Sequence, residues 1–344
     1  MTTSNVYEFE STGATIVKHA FQHIRVAQKG QPLKADYMNV GIEYLNGLVK
    51  SWQRDGLHLW KNKEAAVFLE TGRRKYTLGA QASIACDEDG CKADDIEGAY
   101  VHATSGDWVL TSLTADAIAG DDVINIESWL SYEGIEYNTT CAMNIGIENV
   151  NGGMDWYSIA AVVDLEIALN DVLVNDVAEN ATVYIYRELD QLEKPLKIYQ
   201  ENVRLYQVAA NYELPLYLLS WTDYNLLPDK NETGIPVQAF YEPRINNTDL
   251  AIWPTSQSVN NVLLFRFQSP LEIFDSETDT QDFPSEWIRP LEWALAAELG
   301  MTYGIPPQRQ MMLDQKASAL KNEVEDWDQD NTSLFLYPRE WGSL

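Results

Sequence analysis

The sequence predicts an α+β protein, with helices at both ends and a β-rich middle. Three observations predict it. Apolar residues recur at helical spacing up to Trp52 and again after Pro284. Between them the period falls to two. Strand and turn signals dominate residues 79–186, and many short strands at this spacing suggest a small barrel or sandwich.

The elements follow in order. Residues 11–29 read as a helix that Ser11 or Thr12 can cap, with Ile16, Val17, Ala20, Phe21, Ile24 and Ala27 on one face. Gly30 and Pro32 break the pattern. A second helix, Lys34 to Trp52, aligns Tyr37, Val40, Tyr44, Leu48 and Trp52, and the short gap implies a helical hairpin. Gly41 and Gly47 weaken that helix. Ala65–Glu70 and Lys75–Leu78 then read as strands joined at Thr71-Gly72. Further strands are expected at 123–126, 143–147, 156–159, 165–169 and 182–186, with Asn151-Gly152-Gly153 as a hairpin turn. Strands continue at 197–199, at Gln207, in the apolar run Leu214–Leu219, and at 238–241, 250–253 and 262–268. A polar loop follows Pro270, with Asp282 or Phe283 at its end and Asp282 able to cap. Pro284 belongs near the first turn of a closing helix that runs to about residue 299, where its missing N–H costs nothing. Trp287, Leu291, Ala294, Leu295 and Glu298 recur along it, and Gly300 and Gly304 close it before Pro306 and Pro307. A last helix spans Pro307 to Trp327, and Ser333–Tyr337 reads as an extended apolar tail.

Charge is segregated. Residues 1–80 hold 11 Lys/Arg and 7 Asp/Glu, residues 81–186 hold Lys92 and 20 acids, and residues 187–344 hold 12 and 25, for a net charge of −28. Phosphate neutralisation needs Lys and Arg, so this is not the composition of a nucleic-acid binder. An acidic wall along which DNA slides, or simply a soluble and self-repelling surface, fits it. No run of 18 apolar residues exists, so no membrane span is expected. The N-terminus lacks the pattern of a signal peptide, and three cysteines fit no disulfide framework, which points to synthesis in the cytoplasm.

Chemistry-bearing patterns are sparse. His19 and His23 have a metal-ligand spacing, but no Glu follows His19, so two helix-surface histidines are the plainer reading, and His58 and His102 have no ligand set nearby. Cys86 and Cys91 bracket an acidic turn that, with Asp94 and Asp95, lacks the order of a calcium loop. Arg73-Arg74-Lys75 is either a solvated turn or a contact for an acidic surface. No phosphate loop and no nucleophile elbow is present, so neither catalysis nor a cofactor or metal is expected. Two rivals stay open: a cell-wall hydrolase built on an acidic pair, and a carbohydrate- or receptor-binding module using Trp108, Trp129 and Trp156 as exposed aromatics. The tail Leu334, Phe335, Leu336, Tyr337 with Trp341 either packs back on its own domain or adds to a partner.

Three stretches carry a resemblance. They are Leu45–Trp52 with Gly56-Leu57 and Trp60; the series Asp223-Tyr224, Leu227-Pro228, Gly234-Ile235-Pro236, Phe240-Tyr241 and Leu250–Pro254; and the closing helix with Phe283-Pro284, Trp287 and Gly304–Pro307. In this order they resemble the head-to-tail connector (adaptor, or head-completion) proteins of short-tailed bacteriophages. The acidic stretch, absent from compact members, is similar at Ala119–Ile126, Asn144–Glu148, Trp156–Ile159 and Ala181–Tyr186 to a β-domain inserted in other phage virion proteins. The resemblance implies a discontinuous core of residues 1–78 and 190–330, a bundle of N- and C-terminal helices, an inserted domain at 79–189 and an extended tail at 331–344. An insertion needs its two ends close together, so Val67–Tyr76 and Lys197–Leu205 should pair or neighbour one another.

The same resemblance implies a virion protein of the neck, assembled as a dodecameric ring between the portal protein and the tail nozzle, with a tail fibre as a further contact. The ring would continue the DNA channel without sequence-specific binding and retain packaged DNA. It implies subunit packing through Tyr44, Leu48, Trp52, Trp287, Leu291 and Leu295, and a portal interface at Leu334, Phe335, Leu336, Tyr337 and Trp341.

Overall fold

The computed structural model describes residues 11–28, 30–55, 62–79, 101–135, 137, 139, 142–245 and 247–327. It is a mixed α+β protein. The helices are α1 (Gly13–His23), α2 (Ala35–Asp55), α3 (Trp221–Leu226), α4 (Ile288–Thr302) and α5 (Pro307–Trp327). The strands are β1 (Asn62–Phe68), β2 (Lys75–Leu78), β3 (Ala103–Thr104), β4 (Trp108–Ser112), β5 (Val123–Asn125), β6 (Met143–Glu148), β7 (Met154–Val163), β8 (Glu166–Leu169) and β9 (Thr182–Arg187). They continue as β10 (Lys197–Ile198), β11 (Arg204–Gln207), β12 (Tyr212–Pro215), β13 (Tyr217–Leu219), β14 (Thr233–Gly234), β15 (Gln238–Pro243), β16 (Thr248–Trp253), β17 (Thr255–Ser256) and β18 (Asn261–Gln268). Two compact units result: Met1–Lys61 with Leu271–Leu344, and Asn62–Pro270. The expected core of residues 1–78 and 190–330 therefore straddles both units.

The first unit is helical. Thr12 caps α1, its side chain accepting from the Thr15 N–H. The N–H groups of Gly13 and Ala14 find the carbonyls of Asp279 and Glu277, so the polar loop before α4 completes the cap. On α2 the buried face runs through Met38, Gly41, Leu45, Leu48, Val49 and Trp52. The predicted stripe is thus rotated: Tyr37, Val40 and Tyr44 lie at its margin and only partly buried. Gly41 is where α2 meets α1, since a Cβ there would stand 2.2 Å from Val17 Cγ1.

The closing helix starts later than predicted. Pro284 precedes a 3₁₀ turn, Ser285–Trp287, and α4 proper begins at Ile288. Ile288, Leu291, Leu295, Ala296 and Leu299 are buried, and α1, α2 and α5 all pack on α4. A central helix buried on several sides has no single apolar stripe, and Glu298, which shares the helical spacing of Trp287, Leu291 and Leu295, is exposed. The end of α4 follows from Gly304 at φ +64: the N–H groups of Ile305 and Gly304 bond the carbonyls of Gly300 and Met301, a Schellman cap, and Pro307 opens α5.

Among the described residues the second unit stacks three larger sheets and carries the two-stranded pair β14-β17. The middle one has the order β12-β11-β18-β1-β3, with β10 also on β18. The segments expected to pair or neighbour one another, Val67–Tyr76 and Lys197–Leu205, do not pair: β1 and β10–β11 lie on opposite sides of β18, which separates them. The ends of the acidic stretch do meet, since a Cβ on Gly79 would lie 2.9 Å from the Lys194 Cβ. One face of β18 sends Leu263, Phe265 and Phe267 into a core shared with Ala239, Leu250 and Ile252 of the sheet β13-β15-β16-β2. Its other face sends Val262 and Leu264 to an aromatic core. Burial on both faces is why β18 reads as a nearly continuous apolar run.

The third sheet, β4-β9-β6-β7-β8-β5, lies within the acidic stretch. Strand β9 alternates two kinds of apolar residue. Val183 and Ile185 enter an aliphatic core with Ile145, Ile147 and Ile167, and Tyr184 and Tyr186 enter the aromatic core with Phe68 and Trp108. Bridges Leu113–Ile126 and Val109–Ser131 return the chain after β5 to the side of β4. The apolar run 214–219 is split between β12 and β13, which belong to different sheets. Helix α3, unforeseen in the sequence, follows it, with Ser220 capping the N–H of Asp223.

Candidate interaction surfaces

The residues predicted to pack subunits are consumed by the chain's own helical core. Leu48, Trp52, Trp287, Leu291 and Leu295 are buried there, with the rings of Trp52 and Trp287 5.6 Å apart. Tyr44 sits at the rim, its hydroxyl 3.1 Å from that of Thr302. Polar clamps hold the chain entering α4: the Asn46 side chain exchanges two hydrogen bonds with the Phe274 backbone at 3.0 and 2.9 Å, and Lys50 donates to the Leu271 carbonyl. These residues shape the helical unit. The predicted portal interface, Leu334, Phe335, Leu336, Tyr337 and Trp341, lies outside the described residues, as do Gly56, Leu57, His58, Trp60, Cys86, Cys91, Asp94 and Asp95.

The tryptophans proposed as an exposed platform are not one. Trp108 is buried between two sheets, stacked on Tyr132 at 4.8 Å. Trp156 packs edge-to-face on Tyr186 and lies flat on His102 at 3.8 Å. Trp129 is half-buried against the aliphatic core, its indole N–H donating to the Asp164 carbonyl. Large aromatic faces are better spent on burial between sheets than left in water. His102 shares that environment, with Nδ1 3.0 Å from the Tyr186 hydroxyl. Burial, and then the nearby Arg73 charge, push its pKa down to about 3, so it is neutral at pH 7.

The other candidates resolve into local pairs. His19 Nδ1 lies 2.5 Å from Glu292 Oε1, and His23 stacks on Trp293 at 4.1 Å. Among the described residues no cluster of three His, Cys, Asp or Glu could hold a metal ion. Arg73 pairs with Glu70, and Arg74 donates to Asn231. Lys75 joins Arg244 on the buried carboxylate of Asp249, at 2.7 and 2.6 Å. The basic triplet is therefore spread over three internal partners rather than presented as one patch.

One surface was missed in the sequence. The edge strand β13 and helix α3 leave large apolar side chains in solvent: Tyr217 67%, Trp221 67% and Leu226 75% exposed. Ile235 and Val237 are exposed as well, and the Tyr217 N–H bonds the Val237 carbonyl, so these residues adjoin. Tyr224 instead stacks on Phe240 at 4.6 Å, which seats α3 on the sheet. An apolar cluster at an unpaired sheet edge marks an interaction surface. The available signal was Ser220-x-x-Asp223, a helix cap directly after an apolar run.

Among the described residues, no helix is long and apolar enough to cross a membrane. No protein-family model matches this chain, and no curated protein matches it significantly.

Proposed function

We propose that this chain is a subunit of a phage head-to-tail connector ring, a structural virion protein without catalysis. The observation that carries the reading is the gathering of α1, α2, α4 and α5 around one core that joins Trp52 to Trp287. The stretches that resemble the connector family at the two ends of the chain thus meet in one unit, with all the strands between them in sequence.

In this reading the N-terminal hairpin and the C-terminal helices form the family's bundle. The acidic sheet, whose strand path returns to its start, is a small barrel inserted into the core. The exposed edge at Tyr217, Trp221 and Leu226 supplies apolar surface for a neighbouring subunit in a ring of about twelve. The ring sits between portal and tail nozzle, continues the DNA channel and retains the genome. Carboxylates facing the lumen repel DNA and keep it from adhering. The tail with Leu334–Tyr337 and Trp341 engages the portal.

Negative-stain microscopy of the chain mixed with its cognate portal protein tests this. A second ring stacked on the portal is expected; free monomers beside intact portal rings would overturn it. Trp221→Asp with Leu226→Asp should leave the fold intact and abolish the ring. Trp287→Asp should abolish it by unfolding the helical unit, and intact rings in that variant would refute the bundle assignment.

A further inference from the structure

The helical unit carries a groove whose charge opposes that of the chain. It measures about 960 Å³ and lies between the end of α1, α4 and the first half of α5. Trp293 and Leu313 line it, Met312 stands 69% exposed beside them, and Arg25, Arg309 and Lys316 bring three cations. Among the described residues no carboxylate lines it, in a chain of net charge −28. The nearby acids are engaged elsewhere: Glu292 by His19, and Asp314 by the Gln310 side chain at 2.8 Å. Arg25 takes the left-handed conformation, φ +62, at the position after α1 that glycine or asparagine usually fills. Arg309 is fixed by donating to the His23 carbonyl at 2.6 Å.

We infer that this groove is the seat of the chain's own C-terminal segment, residues 328–344. Charge and reach both select it. Residues 328–344 hold three carboxylates, Asp328, Asp330 and Glu340, against the single cation Arg339, and the apolar cluster Leu334–Tyr337 follows the first two. Helix α5 ends at Trp327, eleven residues beyond Lys316, about 16 Å along the axis. Residues 328–333 extended span about 20 Å, so Leu334 comes back level with Lys316 and Phe335 with the apolar floor. In the N-terminal segment the aromatics, Tyr7 and Phe9, stand within four residues of Ser11, a reach of about 14 Å against about 16 Å along α1. Phe9 lies two residues before Ser11, while the groove is at the opposite end of the eleven-residue α1. The inference stands apart from the ring reading; where both hold, portal and groove compete for one tail.

The test uses the full chain with benzoylphenylalanine in place of Phe335, a photo-crosslinker that favours methionine. Irradiation should join residue 335 to the stretch Gln310–Lys316, which contains Met311 and Met312. Arg25→Glu with Lys316→Gln should cut that yield at least fivefold while circular dichroism stays unchanged. Cross-links elsewhere, or an undiminished yield in the double variant, would overturn the proposal. In an equal mixture of ordinary and ¹⁵N-labelled chains, matched isotope pairs are expected. Mixed pairs would overturn the own-tail assignment and give the seat to a second copy.

Discussion

The helical unit and the β unit bury their apolar residues in different ways. In the helical unit four helices share one core, and each helix of the outer three presents one face to it. In the β unit three cores alternate with three sheets, and single strands serve two cores at once. Helical periodicity therefore reports partners almost directly, because there is one place for an apolar stripe to go. A period of two reports only that neighbours in sequence part company. On β9 it separates Val183 and Ile185 from Tyr184 and Tyr186, but the partner of each face is set by chain segments as distant as Phe68 and Tyr206.

The contrast breaks most visibly at Trp287. Trp287→Asp places a charge in the single helical core, with an expected loss of about 4 kcal/mol or more. Far-UV circular dichroism should lose helix while the near-UV signal of the β unit's aromatic core persists. Simultaneous loss of both signals would show that the units do not unfold separately.

The two faces of β9 come next. Ile185→Ala should cost about 2–5 kcal/mol by leaving a cavity in the aliphatic core. Tyr184→Phe removes only the hydroxyl that donates to the Val259 carbonyl at 3.2 Å, and should cost about 1 kcal/mol. Urea denaturation of the pair decides whether shape or hydrogen bonding dominates, and a reversed order would contradict the two-core description.

His102 gives the β unit an acid sensitivity. Its folded pKa lies near 3 against 6.5 for the free side chain. Between those values the unfolded chain binds the proton and the folded one does not, so stability falls as pH drops below 6.5. Each pH unit is worth at most about 1.4 kcal/mol, which gives a loss of about 2–3 kcal/mol from His102 by pH 4. His102→Gln should lose less stability than the parent between pH 7 and pH 4. Equal losses would clear His102 of the effect.

The smallest effects sharpen the helical side. Gly41→Ala drives a methyl into Val17 and should cost about 1–3 kcal/mol. Gly47→Ala, on the same helix with nothing within 4 Å, should stabilise by about 0.5–1 kcal/mol. Thermal melts of the two variants should shift in opposite directions, and a shared direction would place the close approach of α1 and α2 elsewhere.

Much of the architecture was legible in residue order alone. Periodicity located α1, α2, α5 and most strands, and Gly304 with the prolines after it marked the α4–α5 turn, because caps and left-handed positions are local properties of the backbone. The face of α2 was read one step off, since Tyr37 and Tyr44 are apolar enough to look like core while Gly41, with no side chain, is what the core contact requires. Helix α3 was hidden behind the apolar run 214–219, which two different sheets divide between them. Trp108 and Trp156 looked like an exposed platform because a strand shows which residues share a face but not whether another sheet covers it. The exposed edge at Tyr217, Trp221 and Leu226, the neutral His102 and the basic groove beside Trp293 were all decided by tertiary structure. Each depends on the removal or survival of solvent at a point where segments far apart in the chain converge, and spacing along the chain carries no record of that.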